Sequence, residues 1–85
     1  MTEAVKLTTV QVREDDRWRA KAVIDGRRYP DRRSFDRVKK EAFATMNALH
    51  IPAQFETRRV WPDEPPSPLP TWENYRMTLT PKETE

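Results

Sequence analysis

Cysteine is absent from the 85 residues, which removes a disulfide scaffold, a thiolate nucleophile and a cysteine-ligated zinc site together. Histidine occurs once, at His50, so no histidine pair can hold a metal and imidazole acid-base chemistry has a single candidate. The serines, Ser34 and Ser67, do not stand in a nucleophile-elbow setting, which argues against a Ser-His-Asp arrangement. The acidic run Glu14-Asp15-Asp16 lacks the remaining spacing of a calcium loop and reads as a turn. No run of about 20 apolar residues is present to cross a membrane, and no apolar signal stretch follows Met1. These absences lead us to expect a cytoplasmic protein without membrane association, cofactor, metal or catalytic site. Glycine is also reduced to one, Gly26, so that position is expected to be there for its backbone geometry.

What is present is charge. Hydrophobic and charged residues each make up 35% of the chain, leaving a core that must come from a few large side chains. The net charge of +2 is unevenly placed: residues 17–40 hold ten bases against three acids, while both flanks are acidic.

The stretch RWRAKAVIDG, residues 17–26, alternates with the period of a half-buried strand. VKLTTVQVR, residues 5–13, is β-branched and alternates in the same way. A three-residue loop at 14–16 would pair Val12 with Trp18 and Val10 with Ala20, and an Asp25-Gly26 hairpin would pair Ala22 with Tyr29. Val10, Val12, Trp18, Ala20, Ala22, Ile24 and Tyr29 then share an inward face. Thr9, Gln11, Arg13, Arg17, Arg19, Lys21 and Arg28 share an outward face without an acid. Pro30 should end the third strand, since it has no amide to give.

Ser34 fits a helix N-cap, and Phe35, Val38, Ala42, Met46 and Leu49 mark the apolar stripe of a helix ending near Leu49, with Phe43 beside it. His50 suits the helix C-terminus, where the dipole favours a cation, and Pro52 forbids continuation. AQFETRRVW, residues 53–61, reads as a further strand whose buried side is undecided. Five of the nine residues 62–70 are proline, an extended spacer. Residues 71–80 alternate again, with Tyr75, Met77 and Leu79 on one face, and read as a last strand before a frayed end. The expected fold is α+β: a three-stranded antiparallel meander on one helix, with one or two further C-terminal strands. It divides into residues 1–61, the spacer 62–70, and the strand and tail 71–85.

Arg13, Arg17, Arg19, Lys21 and Arg28 on one sheet face, joined by Arg32 and Arg33 in the adjoining loop, could contact phosphates and base edges. The same residues also suit the solvated face of a two-layer domain. Trp61 and Trp72 bracket the prolines; they either clamp them or, with Tyr75, offer an aromatic patch to a protein. The run RWRAKAVIDGRRYPDRRSFDRVKKEA resembles the arm-binding, AP2-like domain of phage tyrosine integrases through Arg17, Trp18, Arg19, Ala20, Gly26, Arg27, Ser34, Phe35, Lys39, Lys40, Glu41 and Ala42. That resemblance spans about residues 10–48 and implies three strands docked in a DNA groove with one helix behind. Asp16 replaces the family's hairpin glycine, and no recombinase domain follows. The order of elements is also similar to that of HicB-like antitoxins, which bind a small toxin. The leading expectation is a nucleic-acid-binding accessory or regulatory protein of phage or mobile-element type. The alternative is a protein-interaction module, antitoxin-like or an inhibitor of a host protein. DNA, a protein partner and a second copy of the chain are the partners these readings admit.

Overall fold

The computed structural model describes residues 3–79; residues 1, 2 and 80–85, and with them the expected frayed tail, lie outside that range. β1 (Val5–Glu14) and β2 (Arg17–Asp25) form an antiparallel hairpin. The turn between them has two residues, not three: Asp15 and Asp16 take φ of 51° and 63°, and Glu14 pairs directly with Arg17. Two consecutive positive φ values match the right-handed twist of the strands, and aspartate tolerates that region better than most side chains. The shorter turn moves each expected partner by one, and the ladder regains its inner phase further on through a bulge. Val10 pairs with Ala22 and Gln11 with Ala20, leaving Lys21 without an opposite residue.

The expected second hairpin does not form. Gly26–Arg28 is a single 3₁₀ turn, with Asp25 as its N-cap accepting from the Arg27 amide. The chain leaves the sheet there, so there is no strand at 27–29 and no pairing of Tyr29 with Ala22. Gly26 has no positive φ. A Cβ at this position would lie 2.5 Å from the Lys6 carbonyl oxygen, so close approach to β1 is what requires glycine.

α1 (Arg32–Ala48) starts three residues earlier than Ser34 as a cap would allow. Asp31 is the N-cap, and its carboxylate accepts from the Ser34 amide at 2.8 Å, which holds Asp31 below the usual carboxylate range. Phe35, Ala42 and Met46 are buried as the apolar stripe predicts, and Val38 packs at the margin. The helix closes with His50 in the left-handed region at φ 59°. The His50 amide donates to the Asn47 carbonyl and the Ile51 amide to the Met46 carbonyl, a Schellman ending.

β3 (Ala53–Val60) pairs antiparallel with β1, from Val5↔Val60 to Val12↔Ala53, giving the sheet order β2-β1-β3. The fold is therefore α+β with a three-stranded antiparallel sheet under helices, but the third strand follows α1, and β1 is central. The question of which side of β3 is buried has two answers. Phe55 faces the helices beside Val10, while Val60 is buried against Leu7 and Val23 on the opposite face.

Residues 71–80 were expected to be a strand; they begin instead with α2 (Trp72–Leu79), on a Thr71 cap whose hydroxyl accepts from Asn74 and whose carbonyl accepts from Tyr75. Trp72, Tyr75 and Leu79, at helical spacing, pack on the α1 side of the sheet, which overrides the alternation of Tyr75, Met77 and Leu79. The prolines reach that position from the far edge. Leu69 packs on Leu7, Val23 and Val60, and the Val23 amide donates to the Pro70 carbonyl at 3.0 Å. The outer edge of β2 is thus closed at Val23 by a carbonyl from a segment poor in amides.

Candidate functional site

The hairpin end carries most of the expected basic face, and the structure divides it. Opposed residues of an antiparallel ladder share a face. Arg17 opposite Glu14 and Arg19 opposite Val12 therefore lie on the helix side, whereas Trp18 opposite Arg13 and Ala20 opposite Gln11 lie on the other. The bulge is the cause, because a one-residue change of phase exchanges the faces of everything beyond it. Trp18 is 39% exposed where a core residue was expected, and Ala20 is exposed too. Arg13 lies over the Trp18 ring at 5.6 Å and within 3.9 Å of Asp16. On the other face, Glu14 draws in Lys21 at 3.1 Å and Arg19 at 3.7 Å. The acid-free plane is absent: Arg13, Arg17, Arg19 and Lys21 share the hairpin end with Glu14, Asp15 and Asp16.

Arg28, Arg32 and Arg33 are exposed around the start of α1, and Arg32 approaches Asp36 at 3.9 Å. Arg27 is a strut. It grips Asp25 with Nε and Nη2 and donates from Nη1 to the carbonyls of Trp61 and Glu64, both at 2.8 Å. Burial pushes the Asp25 carboxyl up, but the hydrogen bonds from Arg27 outweigh it and hold the group below its ordinary value.

The expected aromatic patch also separates. Trp72 is 2% exposed and belongs to the core, with Tyr75 tilted against it at 6.1 Å. Burial raises the Tyr75 hydroxyl. Tyr29 donates to Glu73 at 3.2 Å, and burial followed by that carboxylate pushes its pKa up to about 12. Only Trp61 remains on the surface, 50% exposed.

One surface has no counterpart among the residues singled out from sequence: the outer edge of β3. The Arg13 amide donates to the Pro52 carbonyl at 3.1 Å, which fixes the ladder phase. Gln54, Glu56, Arg58 and Val60 turn their amides to β1, and Ala53, Phe55, Thr57 and Arg59 turn theirs outward. The Arg59 carbonyl agrees, since it takes a side-chain donor, Arg58 Nη1, at 2.8 Å. No described strand pairs with this edge. No bulge interrupts β3 and no proline lies within it. Beside it Phe43, 57% exposed, meets Phe55 edge-to-face at 5.9 Å. The two rings, with Lys39, Lys40, Ala53 and Gln54, line an apolar cleft between α1 and the strand. The signal was in the sequence: Phe43 sits off the main stripe of α1, and a second apolar direction on a helix needs a second neighbour.

Among the described residues no group of three or more histidines, aspartates or glutamates could hold a metal ion, and no helix is long and apolar enough to cross a membrane. In comparisons with known proteins, no family model, no curated protein and no solved structure matches the chain.

Proposed function

We propose that this chain is a non-enzymatic protein-interaction module whose binding surface is the outer edge of β3 with the Phe43–Phe55 cleft beside it. The observation that carries the reading is the edge itself, which no described strand pairs: β3 turns the amides of Ala53, Phe55, Thr57 and Arg59 outward without bulge or proline. Such an edge adds an extended strand from a partner, backbone bonds giving affinity and neighbouring pockets giving side-chain preference. Exposed Phe43 and half-buried Phe55 supply the apolar anchor that interface centres favour. Of the two families the sequence resembles, the reading takes up the antitoxin likeness: a small regulatory protein whose target is another protein.

Nucleic-acid binding is the second reading, favoured by one observation. Trp18 is open and carries Arg13 on its ring, at the end of a two-stranded ribbon of the kind a major groove admits. Phosphate contacts from Arg17, Arg19 and Lys21 would work against Glu14, Asp15 and Asp16, which is why this reading comes second.

The test compares three tagged proteins for what they retain from cell extract: the unaltered chain, Arg59→Pro, and Arg13→Ala/Trp18→Ala. Proline at 59 removes an outward amide and no ladder bond. A stoichiometric protein retained by the first and third and lost by Arg59→Pro is the expected result. Nucleic acid lost only with the Arg13/Trp18 pair would transfer the function to the hairpin. Retention indifferent to both changes would overturn both.

A further inference from the structure

We propose that the strand that pairs with β3 is β3 of a second copy of this chain, antiparallel and centred on Thr57. The proposal rests on the reading of the β3 edge as the binding surface and names the strand that fills it when no other partner is bound. Two copies related by a two-fold axis perpendicular to the sheet keep their helices on the same side. Opposed residues then share a face, which admits only every second register. Charge selects among these. An axis at Glu56 sets Glu56 against itself, and an axis at Arg58 sets Arg58 against itself. An axis at Phe55 opposes Glu56 to Gln54, leaves Arg58 and Arg59 beyond the paired length, and shortens the overlap.

An axis at Thr57 opposes Glu56 to Arg58 twice, once on each side, and sets Phe55 opposite Arg59, a cation over a half-buried ring. It extends from Gln54 to Val60, nearly the whole strand. The outward backbone groups match as well, since Phe55, Thr57 and Arg59 meet one another and no inward amide is called on. The same register brings Trp61 of the second copy opposite Ala53, at the mouth of the cleft formed by Phe43 and Phe55. Trp61, exposed and distant from the Phe43–Phe55 pair within the chain, thereby joins it in one contact. Glu56 and Arg58 can exchange partners, because their contacts within the chain are exposed ones, to Gln11 at 3.2 Å and to Glu64 at 3.5 Å. Pairing with Glu56 of the second copy would also draw Arg58 off the Arg59 carbonyl it covers at 2.8 Å, freeing that carbonyl for the ladder.

Sedimentation equilibrium of the whole chain from about 1 µM to about 1 mM covers the range a small strand-to-strand contact spans. The expected result is a mass that doubles with concentration. Glu56→Arg alone and Arg58→Glu alone should each weaken the dimer about tenfold or more, by setting like charges opposite one another at both symmetric positions. Glu56→Arg/Arg58→Glu together should restore it. Circular dichroism of each variant confirms that the fold is retained. A monomer throughout, or a dimer indifferent to both single reversals, overturns self-pairing. The edge reading then stands or falls separately on the Arg59→Pro comparison, whose readout is a different protein retained or lost.

Discussion

Asp25 and Arg27 hold each other across a single residue, with Nη2 2.6 Å from Oδ2 and Nε within 3.1 Å of both carboxylate oxygens. The pair does more than close the 3₁₀ turn. Because Arg27 also reaches the Trp61 and Glu64 carbonyls, it joins the end of β2 to the chain leaving β3.

Replacing Arg27 with Met should therefore loosen the 61–64 turn and leave Asp25, 8% exposed, without its partner. Urea unfolding should show Arg27→Met less stable than the double variant Asp25→Asn/Arg27→Met, because a neutral buried amide costs less than an unpaired carboxylate. The pH dependence has a definite sign. With its folded pKa depressed below 3.8, Asp25 contributes stability that is present above that value and lost as pH falls through the lower folded one. Asp25→Asn should flatten that part of the acid limb.

His50 occupies a left-handed position that glycine adopts without a Cβ penalty, and φ is 59°. His50→Gly should raise stability by about 1 kcal/mol, read as a higher urea midpoint at unchanged slope. An unchanged or lower midpoint would mean that the imidazole contributes a contact of comparable worth.

Tyr29 should titrate at about 12 in the folded protein, and Glu73→Gln should bring it part of the way down while leaving the contribution of burial. Absorbance at alkaline pH reads this directly. Since the folded value lies above the ordinary 10.0, the associated stability is complete below pH 10 and is lost as pH rises toward 12. Glu73→Gln should narrow that window.

Much of the architecture follows from local chemistry visible in the residues. The β-branched alternation of β1, the apolar stripe of α1, the stop at Pro52 and a strand from Ala53, expected to 61 and ending at Val60, are all legible, and with them an α+β domain. What was not legible turned on single residues. Asp15-Asp16 can form a two-residue turn as readily as part of a three-residue one, and the choice, with the bulge at Lys21, decides the face of Trp18, Arg17 and Arg19. Asp25-Gly26 carries a hairpin signature, but Gly26 is used for its lack of a Cβ against Lys6. Trp72, Tyr75 and Leu79 fit a helix stripe as well as a strand, and only the open core position beside Phe35 and Met46 decides between them. The basic plane failed for the same reason that the hairpin register did. The β3 edge is not legible in the sequence, because sheet order, and so which strand lies outermost, depends on contacts distant in sequence.

The most direct measurement is amide hydrogen exchange along β3, resolved by residue and repeated as concentration rises. At low concentration the amides of Phe55, Thr57 and Arg59 should exchange fast while those of Glu56 and Arg58 are protected by β1, and at high concentration the first set should become protected too. Protection of both sets in the dilute protein would contradict the account, as would outward amides that stay unprotected at every concentration.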